Sequence, residues 1–158
     1  MSWYSFILLS VPEAFILALF LFILFRINVR DNTQHLILFA VIYGGFTFLL
    51  SVYFDTSYKP FLTFTMFILL MLLLFRFKPV QSLLLGLSAF VTLGLMELFL
   101  TLILIHVFPI NLNYAEILSD PWTRILFSYI TALIPLLLLT MLLHKLRLKI
   151  DLFALISK

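Results

Sequence analysis

The sequence predicts an all-α, polytopic membrane protein, and three observations carry that reading. Of 158 residues, 65% are apolar and 11% charged, against roughly 45–50% and 25% in soluble domains. The mean hydropathy is +1.24. The apolar residues also fall into five long runs separated by short polar breaks. A hydrocarbon core of about 30 Å takes roughly 20 apolar residues per helix. Five spans leave too little chain for a soluble catalytic, nucleotide-binding or DNA-reading domain, which needs at least ~50 residues. There is no cysteine, which removes disulfides, thiolate metal sites and cysteine nucleophiles. The net charge of +3 implies no nucleic-acid partner.

The first run, 3–25, lacks the basic start and small-residue cleavage site of a signal peptide, so a retained helix is expected. Arg26 to Asn32 form a polar break. The second run, 36–54, ends in the turn-like Asp55-Thr56-Ser57-Tyr58-Lys59-Pro60. The third, 58–75, is short and reaches across only with help from Tyr58 and snorkelling Arg76 and Lys78. The fourth, 80–108, exceeds the bilayer and suits a tilted or projecting helix. Tyr114 to Thr123 mixes Glu116, Asp120, Pro121 and Trp122 with apolar residues and reads as an interfacial loop or a short surface helix rather than a span. The fifth run, 124–143, is expected to kink near Pro135. The bundle thus occupies 1–144 and a basic amphipathic tail 145–158.

Arg26, Arg30, Arg76, Lys78, Lys145, Arg147, Lys149 and Lys158 fall on one side of these spans, against Lys59 and Arg124 on the other. The positive-inside rule puts the N-terminus outside and the C-terminus in the cytoplasm. Trp3, Tyr4, Tyr58 and Trp122 then sit at the outer interface as aromatic anchors. This predicts a multi-pass protein of a bacterial cytoplasmic membrane, in contact with lipid.

Polar groups inside a membrane are costly and point to function. Glu13 lies about 15 Å along its helix from Trp3, and Glu97 about 16 Å from Phe108, so the two share a depth near the midplane. No lysine or arginine lies there to neutralise them. At least one of them is therefore expected to be protonated, to be hydrogen-bonded or to reach a polar cavity. Each protonated acid bonds a Ser, Thr or Tyr of a neighbouring helix, or the two line a shared pocket that takes a cation or a ligand amine, and Glu13, Glu97 and Tyr43 are the ligand-binding candidates. Pro12 removes a backbone bond beside Glu13 and frees a carbonyl one turn back, where a polar side chain or ligand compensates.

Ser82, Gly86 and Ala89 form a stripe of small residues for close helix approach, with Gly94 beyond it and Phe90 interrupting. The stripe serves packing within the bundle or a homodimer. Gly44-Gly45 is a second close-packing or kink site. His35, His106 and His144 are scattered at helix ends and present no metal-ligand spacing, and no cofactor is expected. Gly86-Leu87-Ser88 is not a protease serine motif, because His106 lies about 27 Å along the helix from Ser88. Lys145, Arg147 and Lys149 in the tail form either a lipid-associated stop or a junction to a cytoplasmic signalling protein.

Ser10-Val11-Pro12-Glu13, the basic turn Phe75-Arg76-Phe77-Lys78-Pro79 and the following helix bearing Glu97 resemble the N-terminal membrane sensor region of bacterial histidine kinases of the accessory-gene-regulator type, the peptide-pheromone receptors. The resemblance implies a multi-helix sensor of an extracellular peptide, coupled through its last helix to a dimerising kinase. Those receptors usually carry six or more spans, and the phosphoacceptor helix and ATP-binding domain have no counterpart here. The expectation is therefore a non-enzymatic membrane sensor or accessory regulatory module, either an isolated sensor piece or a stand-alone subunit. The rival readings are a small transporter or substrate-binding subunit using Glu13 and Glu97, and a structural subunit of a membrane complex.

Overall fold

A backbone in hydrocarbon must satisfy its polar groups within its own segment, and a helix does so. The computed structural model describes residues 4, 6–53, 58–107, 122, 125, 126 and 129–146. Among them every regular element is helical. Helix α1, Phe6–Leu24, opens with a π-helical turn, Phe6–Ser10, and continues as an α-helix, Val11–Leu24. Then come α2, Thr33–Tyr53, α3, Lys59–Phe75, and α4, Pro79–Val107. Helix α5 repeats the form of α1, with a π-helical turn, Tyr129–Leu133, and an α-helix, Ile134–Leu146. Three helices are long and apolar enough to cross a membrane, namely α1, α2 and the Pro79–Met96 part of α4. Helix α3 and the α-helical part of α5 are apolar but shorter.

The expected and observed helices agree to within a few residues, but α1 and α5 are not uniform α-helices. Pro12 lies two residues past the π-helical turn of α1, and Pro135 two residues past that of α5. A proline cannot donate to the carbonyl four residues back, and its ring crowds that carbonyl. A widened turn just before each proline accommodates both effects. The expected bend near Pro135 thus takes the form of a π-helical turn. The loop 110–121 and the tail from 147 lie outside the described residues, but Trp122 is described and stacks on Tyr4 at 5.1 Å between ring centroids.

Two helices stop by the same device. Phe25-Arg26-Ile27 closes α1 with Arg26 in the left-handed region at φ 58°. Ile27 N–H returns to Phe22 C=O at 2.8 Å and Arg26 N–H to Ile23 C=O at 3.4 Å, the pair of bonds of a Schellman motif. Phe75-Arg76-Phe77 ends α3 with Arg76 at φ 54°. Ile27 and Phe77 tuck back against the core while Arg26 and Arg76 stay exposed. Asn28 ties the first loop together, donating to Asp31 at 2.6 Å and accepting from Arg30 N–H at 3.1 Å. Gln81 caps the start of α4 by accepting from Lys78 N–H at 3.1 Å.

Helix α1 is the centre of the bundle. It packs against α2 and α5 and touches α4, while α3 bridges α2 and α4. Its Ala14, Ile16, Leu17, Ala18, Phe20, Leu21 and Phe22 are buried, the all-round burial of a core helix. Toward the basic loops the interior is aromatic: Phe22 meets Phe75 edge-on at 4.8 Å, and Phe39 meets Phe67 at 5.3 Å.

Close approaches depend on small residues. A Cβ on Gly44 would lie 2.8 Å from the Ser10 carbonyl oxygen and 3.0 Å from Val11 N, so α2 presses onto the backbone of α1 where π gives way to α. A Cβ on Gly86 would lie 2.8 Å from Ile68 Cγ1, and Ser82 and Ala89 on the same stripe are buried. Gly86 therefore packs against α3 within the chain. Gly94 differs from the expected packing role: it is exposed, and a Cβ there meets nothing within 4 Å among the described residues. Phe90 holds the neighbouring wall away, its ring meeting Phe64 at 6.0 Å.

Gly44→Ala is expected to destabilise the protein by about 1–3 kcal/mol through overpacking against backbone. Gly45→Ala, whose Cβ would meet only Phe6 at 3.6 Å, should be neutral or gain up to about 1 kcal/mol in helix propensity. Ser82→Ala should be neutral or stabilising, because the buried Ser82 hydroxyl has no hydrogen-bond partner among the described residues. Denaturant unfolding in micelles followed by circular dichroism measures all three.

Candidate functional site

The site begins with the carbonyl that Pro12 leaves unserved. Proline at 12 has no N–H for Leu8 C=O, and the Tyr129 hydroxyl on α5 donates to that oxygen at 2.5 Å. The polar side chain expected beside Pro12 is therefore Tyr129. The irregular turn of α1 is held from two sides, by the Gly44 backbone of α2 and by the Tyr129 hydroxyl of α5. Phe6 at its start lies over Gly45 and meets Phe48 at 5.8 Å.

One turn further along α1, the chain opens into a recess of about 520 Å³ enclosed by α1, α2, α3 and α4. Ser10, Glu13, Ala14 and Leu17 line it from α1, and Tyr43, Thr47 and Ser51 from α2. Lys59, Thr63, Phe64 and Phe67 contribute from α3, and Gly86, Ala89, Phe90 and Gly94 from α4. Gly86, Ala89 and Gly94 add little bulk to its α4 wall. Its floor toward the basic loops is closed by buried Leu17 and Phe67, with the aromatic cluster below them.

The polar lining is ordered. Tyr43, Thr47 and Ser51 recur every fourth residue and make one stripe down α2. Thr47 Oγ1 donates to Gly44 C=O at 3.0 Å, Ser51 Oγ to Thr47 C=O at 2.9 Å, and Thr63 Oγ1 to Pro60 C=O at 2.9 Å. The Tyr43 ring stacks on Phe39 at 5.3 Å and stands edge-on to Phe67 at 5.5 Å.

Of the ligand candidates, Glu13 and Tyr43 thus share one recess, while the Glu97 side chain lies outside the described residues. Ser82, Gly86 and Ala89 form the α4 face toward α3, and Gly94 borders the recess. Lys145 is exposed at the end of α5, and Arg147 and Lys149 lie outside the described residues. Sequence reasoning missed Thr47, Ser51, Lys59, Thr63 and Tyr129. A signal for two of them was present, since Tyr43, Thr47 and Ser51 already show the four-residue period in an otherwise apolar helix. No family model matches the chain, and neither a curated protein nor a solved structure matches it.

The Tyr129 bond is tested by a double-mutant cycle. Tyr129→Phe alone should cost about 1–2 kcal/mol, because it strands a carbonyl. In a Pro12→Ala background, where residue 12 regains its N–H for Leu8, the same change should cost less than half as much in micelle unfolding. Equal costs in the two backgrounds would show that the tyrosine does not serve the proline.

Proposed function

We propose that this chain is a non-enzymatic sensor or accessory regulatory module of a bacterial cytoplasmic membrane, which binds a ligand in the recess and passes its presence through α5 to a cytoplasmic partner. The observation that carries this reading is that recess and relay share one stretch of chain. Ser10 and Glu13 line the recess, while Leu8, two residues before Ser10, anchors Tyr129 of α5. A ligand drawn to Glu13 acts on the one turn of α1 whose backbone is already irregular. A shift there reaches α5, whose far end carries His144 and Lys145. The resemblance to peptide-pheromone receptors runs the same way, toward an outside ligand read by a bundle and transmitted by its last helix.

In this reading all five helices cross the bilayer, with the N-terminus outside and the C-terminus inside. Helix α3, at 17 residues, covers about 25 Å, and Arg76 and Lys78 make up the remainder by snorkelling. The second reading is a small transporter, favoured by an acid within a membrane-depth recess. Against it stands the packed aromatic cluster between the recess and the basic end, which leaves no path onward. A structural-subunit role is disfavoured because Gly86 already packs on Ile68 within the chain.

The topology is checked by single cysteines, which the cysteine-free chain makes clean. A membrane-impermeant maleimide added outside should label Tyr58→Cys and leave Arg30→Cys and Lys78→Cys unlabelled until the membrane is permeabilised. For function, purification through a C-terminal tag from native membranes in mild detergent should recover a kinase or another regulatory protein. Recovery of a transporter subunit, or substrate accumulation by the isolated protein in vesicles, would replace the sensor with the transporter.

A further inference from the structure

We infer that the pocket between the start of α2 and the end of α3 binds an anionic phospholipid, whose phosphate meets Arg76 and whose acyl chain lies along Leu38 and Leu73. This site is separate from the recess and rests only on the membrane reading of the chain.

The apolar run of α3 ends at Phe75, and Arg76 follows it. A cation at the end of a span sits at the level of the lipid headgroups. Beside it α2 begins, and between the two helices lies a pocket of about 540 Å³. Asn32, His35 and Leu38 line it on one side, and Leu73, Phe75 and Arg76 on the other. Its two ends differ. Asn32, His35 and Arg76 form a polar head, whereas Leu38 and Leu73, 47% and 67% exposed, form an aliphatic side. One turn deeper on each helix the aliphatic surface continues with Ile42 and Leu69, which are exposed as well. Arg76 lies about 10 Å from Leu69 along the helix, most of the ~15 Å half-thickness of a hydrocarbon core. A charged head above an aliphatic track at a bilayer boundary matches a phospholipid better than a water-soluble anion.

Charge selection at this pocket falls to side chains. The start of α2 and the end of α3 meet here, so their dipoles oppose each other. The Arg76 guanidinium offers a planar set of donors that fits a phosphate bidentately. It is exposed and enters no ion pair among the described residues. The His35 ring carries an N–H in either charge state. Asn32 donates one amide proton to Asn28 C=O at 2.8 Å and keeps its Oδ1 as an acceptor for a headgroup hydroxyl. The nearby acid, Asp31, accepts from Asn28 at 2.6 Å and does not line the pocket. An ammonium headgroup therefore finds no counter-charge in the lining and meets Arg76 instead. A glycerol headgroup meets no such repulsion and brings hydroxyls for Asn32.

The test places the full chain in lipid nanodiscs made of equal parts dioleoyl phosphatidylglycerol and dioleoyl phosphatidylethanolamine, and native mass spectrometry identifies the lipid that stays bound after release. Phosphatidylglycerol is expected to be retained about 5-fold over phosphatidylethanolamine. Arg76→Gly should abolish that preference. It removes the guanidinium at a residue whose φ of 54° suits glycine, so the fold is kept. Lys78→Gln, which removes a neighbouring charge outside the pocket, should change the preference by less than about 2-fold. Equal losses in the two variants would mean a diffuse attraction to the basic loops and overturn the site, as would equal retention of the two lipids. Displacement of the lipid by free glycerol 1-phosphate would make the pocket a site for a soluble phosphate and overturn the lipid inference too. None of these outcomes touches the recess, whose ligand stands or falls separately.

Discussion

A backbone carbonyl deprived of its amide and shielded from water costs about 1–3 kcal/mol unless another donor reaches it. Pro12 has no amide to offer the Leu8 carbonyl four residues back. The donor comes from Tyr129, 121 positions away in the chain, so α5 must lie where its hydroxyl meets the first turns of α1. That requirement places α5 on one flank of α1 and leaves the other to α2, whose Gly44 admits the bulge in the α1 backbone.

In a membrane, which three of the helices are long and apolar enough to cross, apolar attraction between helices is weak. Helices there gain little by burying leucine, and they hold together by close fit and a few polar bonds. The bundle divides accordingly. Toward the basic loops, Phe22, Phe39, Phe67, Phe75 and Phe77 fill the interior with edge-on and stacked rings. Toward the other end, Gly86 of α4 meets α3, a hydroxylated stripe of α2 lines the recess, and space remains.

Much of the architecture is readable from composition and spacing, because long apolar runs, prolines and basic breaks act locally. The helices appear where hydropathy puts them, and the orphaned carbonyl follows from Pro12 alone. What the chain conceals is pairing at a distance. Nothing near Tyr129 marks it as the partner of Leu8, since the surrounding Ser128 and Ile130 are unremarkable for a helix end. Gly94 looks like a packing glycine by its spacing from Gly86, and becomes an opening only because Phe90 holds the facing wall off. Glu13 and Tyr43 stood out as rare polar groups, whereas Thr47, Ser51 and Thr63 blended in, since helical hydroxyls bonding their own backbone are common in apolar helices. Their importance arises only when two helices bring them to one recess.

The two left-handed arginines carry a consequence of another kind. Arg26 and Arg76 occupy a backbone conformation that glycine adopts with less strain, and each stands at the residue where a helix turns back. Locally, glycine would serve the turn better. In the proposed topology, an arginine at that spot ties the end of a helix and the orienting charge of its loop to a single residue. Insertion signal and helix stop then cannot drift apart by a residue or two, as they could if the charge sat elsewhere in the loop. The chain thus accepts a small conformational penalty in the finished fold for an unambiguous instruction during assembly. Selection for thermal stability alone would tend to erode these two positions, and selection for faithful insertion would keep them.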